Sequence, residues 1–164
     1  AADQMQATLQ AVKESEHQAI VIYPNVDAGN ESIIKMIEDY GKGEHIQIEH
    51  NMKRSVFISL LTHVSVLVGN SSCGILEAPS LKLPAVNIGN RQRGRMQACN
   101  VINCGYDKND IKQSIQKALH DDAFCKDLQG CVNPYGDGYS SERIVDILRS
   151  VEINEKLLDK LITY

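Results

Sequence analysis

The sequence predicts an α/β fold in which a Rossmann-like parallel sheet is flanked by helices. Short apolar runs alternate with longer segments whose apolar residues recur every three or four positions. Strands that alternate with helices imply a parallel sheet covered on both faces, because each connection crosses back over the sheet. The chain has 164 residues, of which 43% are hydrophobic, so it can bury one good core.

The first elements show this alternation clearly. Residues 2–15 place apolar side chains on one face of a predicted helix. Residues 19–23 form an apolar strand that Pro24 closes. The next helix is predicted to begin with Asn30 as its cap and to end before Gly41.

The middle of the chain contains its most informative stretch, residues 66–77. A strand is predicted over residues 45–50 and a helix over residues 53–63. The apolar run 64–68 then predicts a buried strand that ends in small polar residues. A helix over residues 72–80 is predicted to follow.

The second half continues the pattern. The run 84–89 predicts a strand, an arginine-rich loop covers residues 90–97, and residues 101–102 predict a last short strand. The remaining predicted elements are a helix capped by Asp107 or Asn109, a turn-rich segment at residues 133–138, and closing helices, the first of them capped by Ser140 or Ser141.

Composition excludes several classes of function. The net charge of −4 and the lack of a basic arm argue against nucleic-acid binding. No apolar run reaches the length of a membrane span, and no signal-peptide pattern is present. The five cysteines form no Cys-x-x-Cys pair, which favours a reducing cytoplasm over a disulfide framework. No His/Cys set has metal-ligand spacing, and we expect neither a metal nor a cofactor.

Polar residues follow four successive predicted strands. The carboxyl ends of parallel strands share one edge of the sheet, and ligands bind there in such folds. Asn25 follows the first strand and Met52 the second. Ser71 and Ser72 follow the third, and Arg91 follows the fourth. Each alone is more often a turn residue, but their common edge favours a ligand site.

The residues after the third strand suit a nucleotide. Ser71 and Ser72 would supply hydroxyls beside unpaired N–H groups, where the helix dipole favours a phosphate or pyrophosphate. Glu77 lies about one and a half turns further on and could accept both ribose hydroxyls. The alternative is an ordinary strand–helix junction with a serine cap. We interpret Cys73, at the same helix start, as a packed small residue rather than a nucleophile.

The loop after the fourth strand concentrates positive charge in an acidic chain. Arg91, Arg93 and Arg95 surround Gly94, and arginines clamp diphosphates through charge-assisted hydrogen bonds. A solvated surface loop is the ordinary alternative for a charge run. Because this loop shares an edge with Ser71, we expect at least one arginine to contact phosphate.

Four ordered motifs carry a resemblance to a known family. They are Tyr-Pro-Asn-Val-Asp-Ala-Gly (23–29), Asn-Ser-Ser-Cys-Gly-Ile-Leu-Glu-Ala-Pro (70–79), Pro-Ala-Val-Asn-Ile-Gly-Asn-Arg-Gln-Arg-Gly-Arg (84–95) and Tyr-Gly-Asp-Gly (135–138). Over nearly the whole chain they resemble the C-terminal domain of the UDP-N-acetylglucosamine 2-epimerases, hydrolysing branch. The non-hydrolysing branch usually has Asp-Ser-Gly-Gly in place of the Asn-Ser-Ser-Cys found here.

The resemblance implies the C-terminal half of a two-domain, glycosyltransferase-B-like fold that holds UDP or a UDP-sugar between its halves. The implied contacts are Ser71 and Ser72 with the diphosphate, Glu77 with the ribose, Arg91 with the nucleotide, Asn25 with the nucleotide-sugar, and the backbone at Met52 with uracil.

The family chemistry is elimination of UDP to give a 2-acetamidoglucal, followed by hydration to N-acetylmannosamine. The resemblance assigns the acidic catalytic residues mainly to an N-terminal domain, so we expect no catalytic residue in this chain. It also places a His-Pro strand before the first helix, and the sequence contains no His-Pro. We therefore expect residues 1–150 to be a UDP-binding domain lacking its first strand, and residues 151–164 a C-terminal helix.

The implied setting is cytoplasmic synthesis of sialic acid or a related bacterial surface sugar, by a homo-oligomer when the protein is full-length. Three alternatives stay open. One is the same chemistry on UDP-2,4-diacetamido-2,4,6-trideoxyhexose. The others are the nucleotide-binding half of a glycosyltransferase and a non-catalytic nucleotide-binding module. A flavodoxin-like or receiver domain is disfavoured, because Pro24 and Asn25 stand where its acidic or flavin-phosphate site belongs.

Overall fold

The computed structural model describes residues 2–24 and 30–159, and the alternation of helices and strands is the predicted one. The elements in chain order are α1 (Ala2–Glu14), β1 (Ala19–Ile22), α2 (Asn30–Tyr40), β2 (Ile46–Glu49), α3 (Arg54–Leu61), β3 (Leu67–Gly69), α4 (Cys73–Leu76), a 3₁₀ turn (Ala78–Leu81), β4 (Ala85–Ile88), β5 (Val101–Cys104), α5 (Lys108–His120), α6 (Asp122–Gln129), α7 (Ser140–Ser150) and α8 (Glu155–Leu158). Within those ranges, no helix is long and apolar enough to cross a membrane.

All paired strands among the described residues are parallel, but they form two sheets where a single sheet was predicted, so the strand ends that precede Met52 and Ser71 do not share one sheet edge. β1 pairs with β2, with Ala19 opposite Ile46. β4 lies between β3 and β5, so that Val86 stands opposite Val68 on one side and Ile102 on the other. Helix α1 packs against both α2 and α5 and thereby links the helical layers of the two sheets.

Helices cover both faces of β4, as the α/β prediction requires. All four residues of this strand are buried. Val86 and Ile88 join the core cluster formed with α1 and α5. Ala85 points to the opposite face, where a Cβ added at Gly74 of α4 would lie 3.1 Å from the Ala85 Cβ. Each fully buried aliphatic side chain contributes about 1.5–3 kcal/mol.

The helix predicted over residues 72–80 is interrupted. Pro79 has no N–H with which to continue an α-helix, so a single turn is followed by a 3₁₀ turn. The Glu77 N–H still donates to the Cys73 carbonyl at 3.0 Å, and the Ser80 N–H donates to the Glu77 carbonyl at 3.2 Å. Glu77 therefore lies at the junction. The predicted helix-dipole contribution is corrected to a small one, because one turn of aligned peptides carries little dipole.

Other element boundaries differ in detail. β5 runs to Cys104 and is longer than predicted, while β3 begins at Leu67. Helix α6 was not predicted, although Asp121 caps it by accepting from the Phe124 N–H at 2.9 Å. Of the two predicted caps for α5, Asp107 is the one used, since its carboxylate accepts from the Asn109 N–H at 2.8 Å. The predicted serine cap of α7 is wrong, because Tyr139 occupies the cap position and makes no side-chain capping bond.

The chain divides into two compact units after Pro134. The second unit contains α7 and α8 and an ion pair in which the Arg143 guanidinium donates to both oxygens of Asp137, at 2.9 and 2.5 Å. This guanidinium, with the Tyr139 N–H, lowers the pKa of Asp137 to about 2. The predicted division at residue 150 into a nucleotide-binding domain and a terminal helix stays a prediction.

Candidate functional site

The segment after β3 makes a tight polar turn. Gly69 has a φ of +148°, a conformation that side chains other than glycine rarely adopt. The Ser71 hydroxyl accepts a hydrogen bond from the Cys73 N–H at 3.3 Å. Ser72 occupies the cap position of α4, yet its side chain makes no capping bond. The Ser71 hydroxyl therefore accepts from the backbone of α4, whereas the Ser72 side chain makes no capping bond.

Glu77 presents an incompletely paired carboxylate beside this turn. Its Oε1 atom lies 3.5 Å from the Arg54 guanidinium, and its side chain is 26% exposed. Its Oε2 atom is buried and has no hydrogen-bond partner among the described residues. The Cys73 thiol interacts with this carboxylate, and a ligand hydroxyl could reach only the exposed part of the Glu77 side chain.

Cys73 is packed rather than reactive. Its side chain is 7% exposed. Burial, and secondarily the Glu77 carboxylate, raises the pKa of the Cys73 thiol to about 12. A thiol with this pKa is almost entirely protonated at neutral pH and is a poor nucleophile. This agrees with its interpretation as a small packed residue.

The arginine-rich loop (residues 90–97) is hydrogen-bonded to the turn at residues 69–72, called the serine turn below. Gln92, only 3% exposed, donates from its Nε2 atom to the Asn70 carbonyl at 2.8 Å. The loop begins at Gly89, where an added Cβ would overlap the Tyr106 ring. The Tyr106 hydroxyl accepts from the Asn90 backbone N–H at 3.3 Å and donates to the Asn90 Oδ1 atom at 3.1 Å. Arg91 is exposed on this anchored loop.

Two further amide side chains donate hydrogen bonds to the segment that carries Glu77. Asn100 is completely buried, and its Nδ2 atom donates to the carbonyls of Gly74 at 3.1 Å and Leu83 at 3.0 Å. Asn133 donates to the Leu76 carbonyl at 2.9 Å and to the Ser80 hydroxyl at 2.8 Å. These four partners lie on both sides of Glu77 and fix the backbone that carries it.

Three buried or bridging amides were not predicted from the sequence: Gln92, Asn100 and Asn133. The available signal was weak: Asn100 is a polar residue directly before an apolar strand, and Gln92 lies between two arginines. Such positions are usually exposed. Only burial reveals that these amides connect distant segments.

Around the serine turn, the described residues line a small cavity. A cavity of about 20 Å³ lies beneath the serine turn, and its lining includes Ser71, Gly74 and Asn87. This volume holds one water molecule and is far too small for a nucleotide.

Five of the six predicted site residues lie in described parts of the chain. Ser71, Ser72 and Glu77 share one segment, and Gln92 ties the Arg91 loop to it. Met52 lies two residues before Arg54, whose side chain reaches Glu77. Asn25 lies outside the described residues.

Fold and site together define a parallel α/β domain with hydroxyl, carboxylate and guanidinium groups at its strand ends. The chain belongs to the UDP-N-acetylglucosamine 2-epimerase family, whose model matches residues 1–149. This confirms the family predicted from the four motifs.

The curated relatives are longer than this chain. It is 34% identical over 161 residues to a UDP-N,N'-diacetylbacillosamine 2-epimerase (hydrolyzing) of Legionella pneumophila, covering 98% of this chain and 41% of the relative. It is 32% identical to a UDP-N-acetylglucosamine 2-epimerase of Neisseria meningitidis serogroup B, covering 87% and 37%. It is 28% identical to the polysialic acid biosynthesis protein P7 of Escherichia coli, covering 92% and 38%. The chain thus spans about two fifths of their length.

Solved structures share the fold. A Neisseria meningitidis UDP-GlcNAc 2-epimerase bound to UDP-GlcNAc superimposes with a TM-score of 0.67 at 18% identity, over 91% of this chain and 41% of that one. The Methanocaldococcus jannaschii UDP-GlcNAc 2-epimerase in complex with UDP-GlcNAc and UDP gives 0.68 at 18% identity, over the same shares, 91% and 41%. The fold prediction, one part of a glycosyltransferase-B-like architecture, is confirmed.

Proposed function

We propose that this chain is the UDP-binding lobe of a hydrolysing UDP-N-acetylglucosamine 2-epimerase. The observation that carries the proposal is the hydrogen bond from Gln92 to the Asn70 carbonyl. It joins the arginine loop to the segment that carries the two serines, and Glu77, whose side chain is partly exposed, lies further along that segment. Hydroxyl, guanidinium and carboxylate groups are the ones that a nucleoside diphosphate requires.

Each proposed contact has a physical task. Ser72, whose side chain does not cap α4, donates to the diphosphate, and Arg91 neutralises its charge. Glu77 accepts from the ribose hydroxyls. From the family resemblance, the backbone near Met52 meets uracil and Asn25 faces the nucleotide-sugar.

The reaction proposed for the whole protein is UDP-GlcNAc plus water to N-acetylmannosamine plus UDP. A base removes the proton at C2 while the bond from C1 to the diphosphate oxygen breaks. This gives the 2-acetamidoglucal, and water then adds across the double bond. In this chain, Arg91 and Ser72 stabilise the negative charge on the departing UDP. The acid and base belong to the N-terminal domain that the resemblance implies.

A second substrate is supported by one specific similarity. The Legionella relative, at 34% identity over 98% of this chain, is named for UDP-N,N'-diacetylbacillosamine, which is a UDP-2,4-diacetamido-2,4,6-trideoxyhexose. The same elimination and hydration apply to that sugar. The nucleotide-sugar pathway is then one leading to a sialic or legionaminic acid, as the polysialic acid relative also suggests.

Calorimetric titration tests the proposed lobe directly. The 164-residue chain should bind UDP saturably and should bind ADP more weakly, because the base differs while the diphosphate is shared. UDP, UDP-GlcNAc and UDP-N,N'-diacetylbacillosamine should bind alike if the sugar is selected elsewhere in the protein. Absence of saturable UDP binding contradicts the proposal.

A second experiment tests the division of labour. The chain incubated with UDP-GlcNAc should release no UDP in a coupled assay, because it supplies no acid or base to C2. Release of UDP would overturn the assignment of catalysis to another domain. A glycosyltransferase half would also leave UDP-GlcNAc intact without an acceptor, but the family match over residues 1–149 favours the epimerase.

A further inference from the structure

We propose that Gln92 is a positioning residue that holds the Arg91 loop on the serine turn, so that the phosphate grip exists before the nucleotide arrives. This inference rests on the proposed function of the same edge. Gln92 is 3% exposed, and its bond to the Asn70 carbonyl spans 22 residues of sequence at 2.8 Å. Gln92 itself does not contact the ligand; it acts through its neighbour Arg91.

The bond is placed where it controls two segments. The Asn70 carbonyl is the last one before Ser71 and Ser72, and Gln92 directly follows Arg91. Inside the loop, the Arg95 N–H donates back to the Gln92 carbonyl at 3.2 Å. The backbone of Gln92 thus organises the loop, while its side chain attaches that loop to the turn.

Only the Nε2 group of the Gln92 side chain makes the hydrogen bond to the serine turn. The Nε2 atom donates to Asn70, whereas Oε1 is buried and has no hydrogen-bond partner among the described residues. A methionine at position 92 would keep the approximate length of the side chain and remove the donor. Because a buried apolar replacement without a donor leaves the Asn70 carbonyl unpaired, the loop should detach while the core remains packed.

The expected benefit of the bond is entropic. A loop that is ordered before binding does not lose backbone freedom when the diphosphate arrives. Fixing even one residue is worth about ten-fold in affinity on this scale. We therefore expect Gln92→Met to raise the Kd for UDP about ten-fold, and to leave the Kd for uridine unchanged because uridine has no phosphate.

Limited trypsin digestion tests the attachment without any ligand. The loop contains Arg91, Arg93 and Arg95, so trypsin reports its opening at those bonds, and mass spectrometry identifies the cuts. Gln92→Met should speed these cuts about ten-fold, since detached loops are the preferred sites of nicking. The matched control is Gln113→Met, at an exposed position on α5, and it should change nothing. Equal cutting of the loop in both variants would overturn the proposal.

The wild-type chain supplies a readout if Gln92→Met fails to fold. Amide hydrogen exchange should show protection at Arg93, whose N–H donates to the Asn90 carbonyl at 3.0 Å, and at Arg95. Exchange at the rate of an unstructured loop contradicts the anchored loop.

The binding and digestion results together distinguish a failure of the positioning role from a failure of the proposed function. If the wild type fails to bind UDP while Gln92→Met opens the loop, the UDP proposal is wrong and the attachment is right. If the wild type binds UDP and the variant changes neither affinity nor digestion, the positioning role is wrong. A loss of affinity for UDP and uridine alike would indicate general damage and would also contradict the positioning role.

Discussion

Replacing Glu77 by Gln tests the proposed ribose contact with little change in shape. The carboxylate has one oxygen 3.5 Å from the exposed guanidinium of Arg54 and the other buried without a partner. The exposed pair with Arg54 is worth only about 0–1 kcal/mol. Under the proposed function, the affinity for UDP that Glu77 contributes therefore comes from the hydrogen bonds that it accepts from the ribose hydroxyls.

The expected magnitude follows from the change in acceptor. Hydrogen bonds to a charged group contribute about 1.5–3 kcal/mol, and neutral ones about 0.5–1.5 kcal/mol. A glutamine at position 77 keeps one neutral acceptor and turns the other oxygen into a donor. We expect a loss of about 1–3 kcal/mol, which raises the Kd for UDP about 5- to 150-fold.

Calorimetry with UDP and 2′-deoxy-UDP measures this contact. In the wild type, loss of the 2′-hydroxyl should weaken binding, whereas in Glu77→Gln it should weaken binding less, because the partner is already impaired. Glu44→Gln, at an exposed position before β2, is the control and should match the wild type. The ribose assignment is refuted if the ratio of the two affinities is the same in wild type and Glu77→Gln.

Three further predictions concern Arg91, Asn100 and the ion pair of Asp137 with Arg143. Arg91→Ala should raise the Kd for UDP about ten-fold, through loss of a charge-assisted contact, and leave uridine binding unchanged; equal losses in titrations with both ligands contradict it. Asn100→Ala should lower the free energy of unfolding by about 2–4 kcal/mol, because two buried carbonyls lose their donor. Urea unfolding measures this change, and an unchanged midpoint would contradict the prediction. The Asp137 carboxyl should protonate near pH 2 by NMR titration, and Arg143→Met should raise its pKa towards the ordinary 3.8. Because the folded pKa is lowered, the ion pair stabilises the fold fully above about pH 4 and ceases to do so as pH falls through 2; the same pKa in both proteins rules this out.

Local patterns were sufficient to predict most of the fold. Periodicity, caps and strand-closing turns depend on residues within one or two turns of each other, so α2, β2 and the Asp107 cap of α5 are visible in the sequence. The helix predicted after Ser72 was too long, because Pro79 prevents an α-helix from continuing there. Helix α6 was not predicted, although Asp121 is a suitable cap.

The candidate site was predictable only in part. Ser71, Ser72 and Arg91 follow the ends of β3 and β4, which are parallel neighbours in one sheet, so topology alone brings them to a common edge. Glu77 lies beyond α4. The amides that hold this edge together act across 22 residues for Gln92, 26 for Asn100 and 57 for Asn133. Bonds between such distant residues leave no periodic trace in the sequence.

Because the described strands form two sheets, the parts of the domain differ in local stability. Among the described strands, β4 alone is paired on both sides, and all four of its residues are buried. Opening it requires two ladders to break, so its amides should exchange last and at the cost of global unfolding. β1 and β2 share a single ladder and can separate at lower cost. Since the serine turn and the arginine loop extend from β3 and β4, the candidate site is attached to the most persistent part of the molecule.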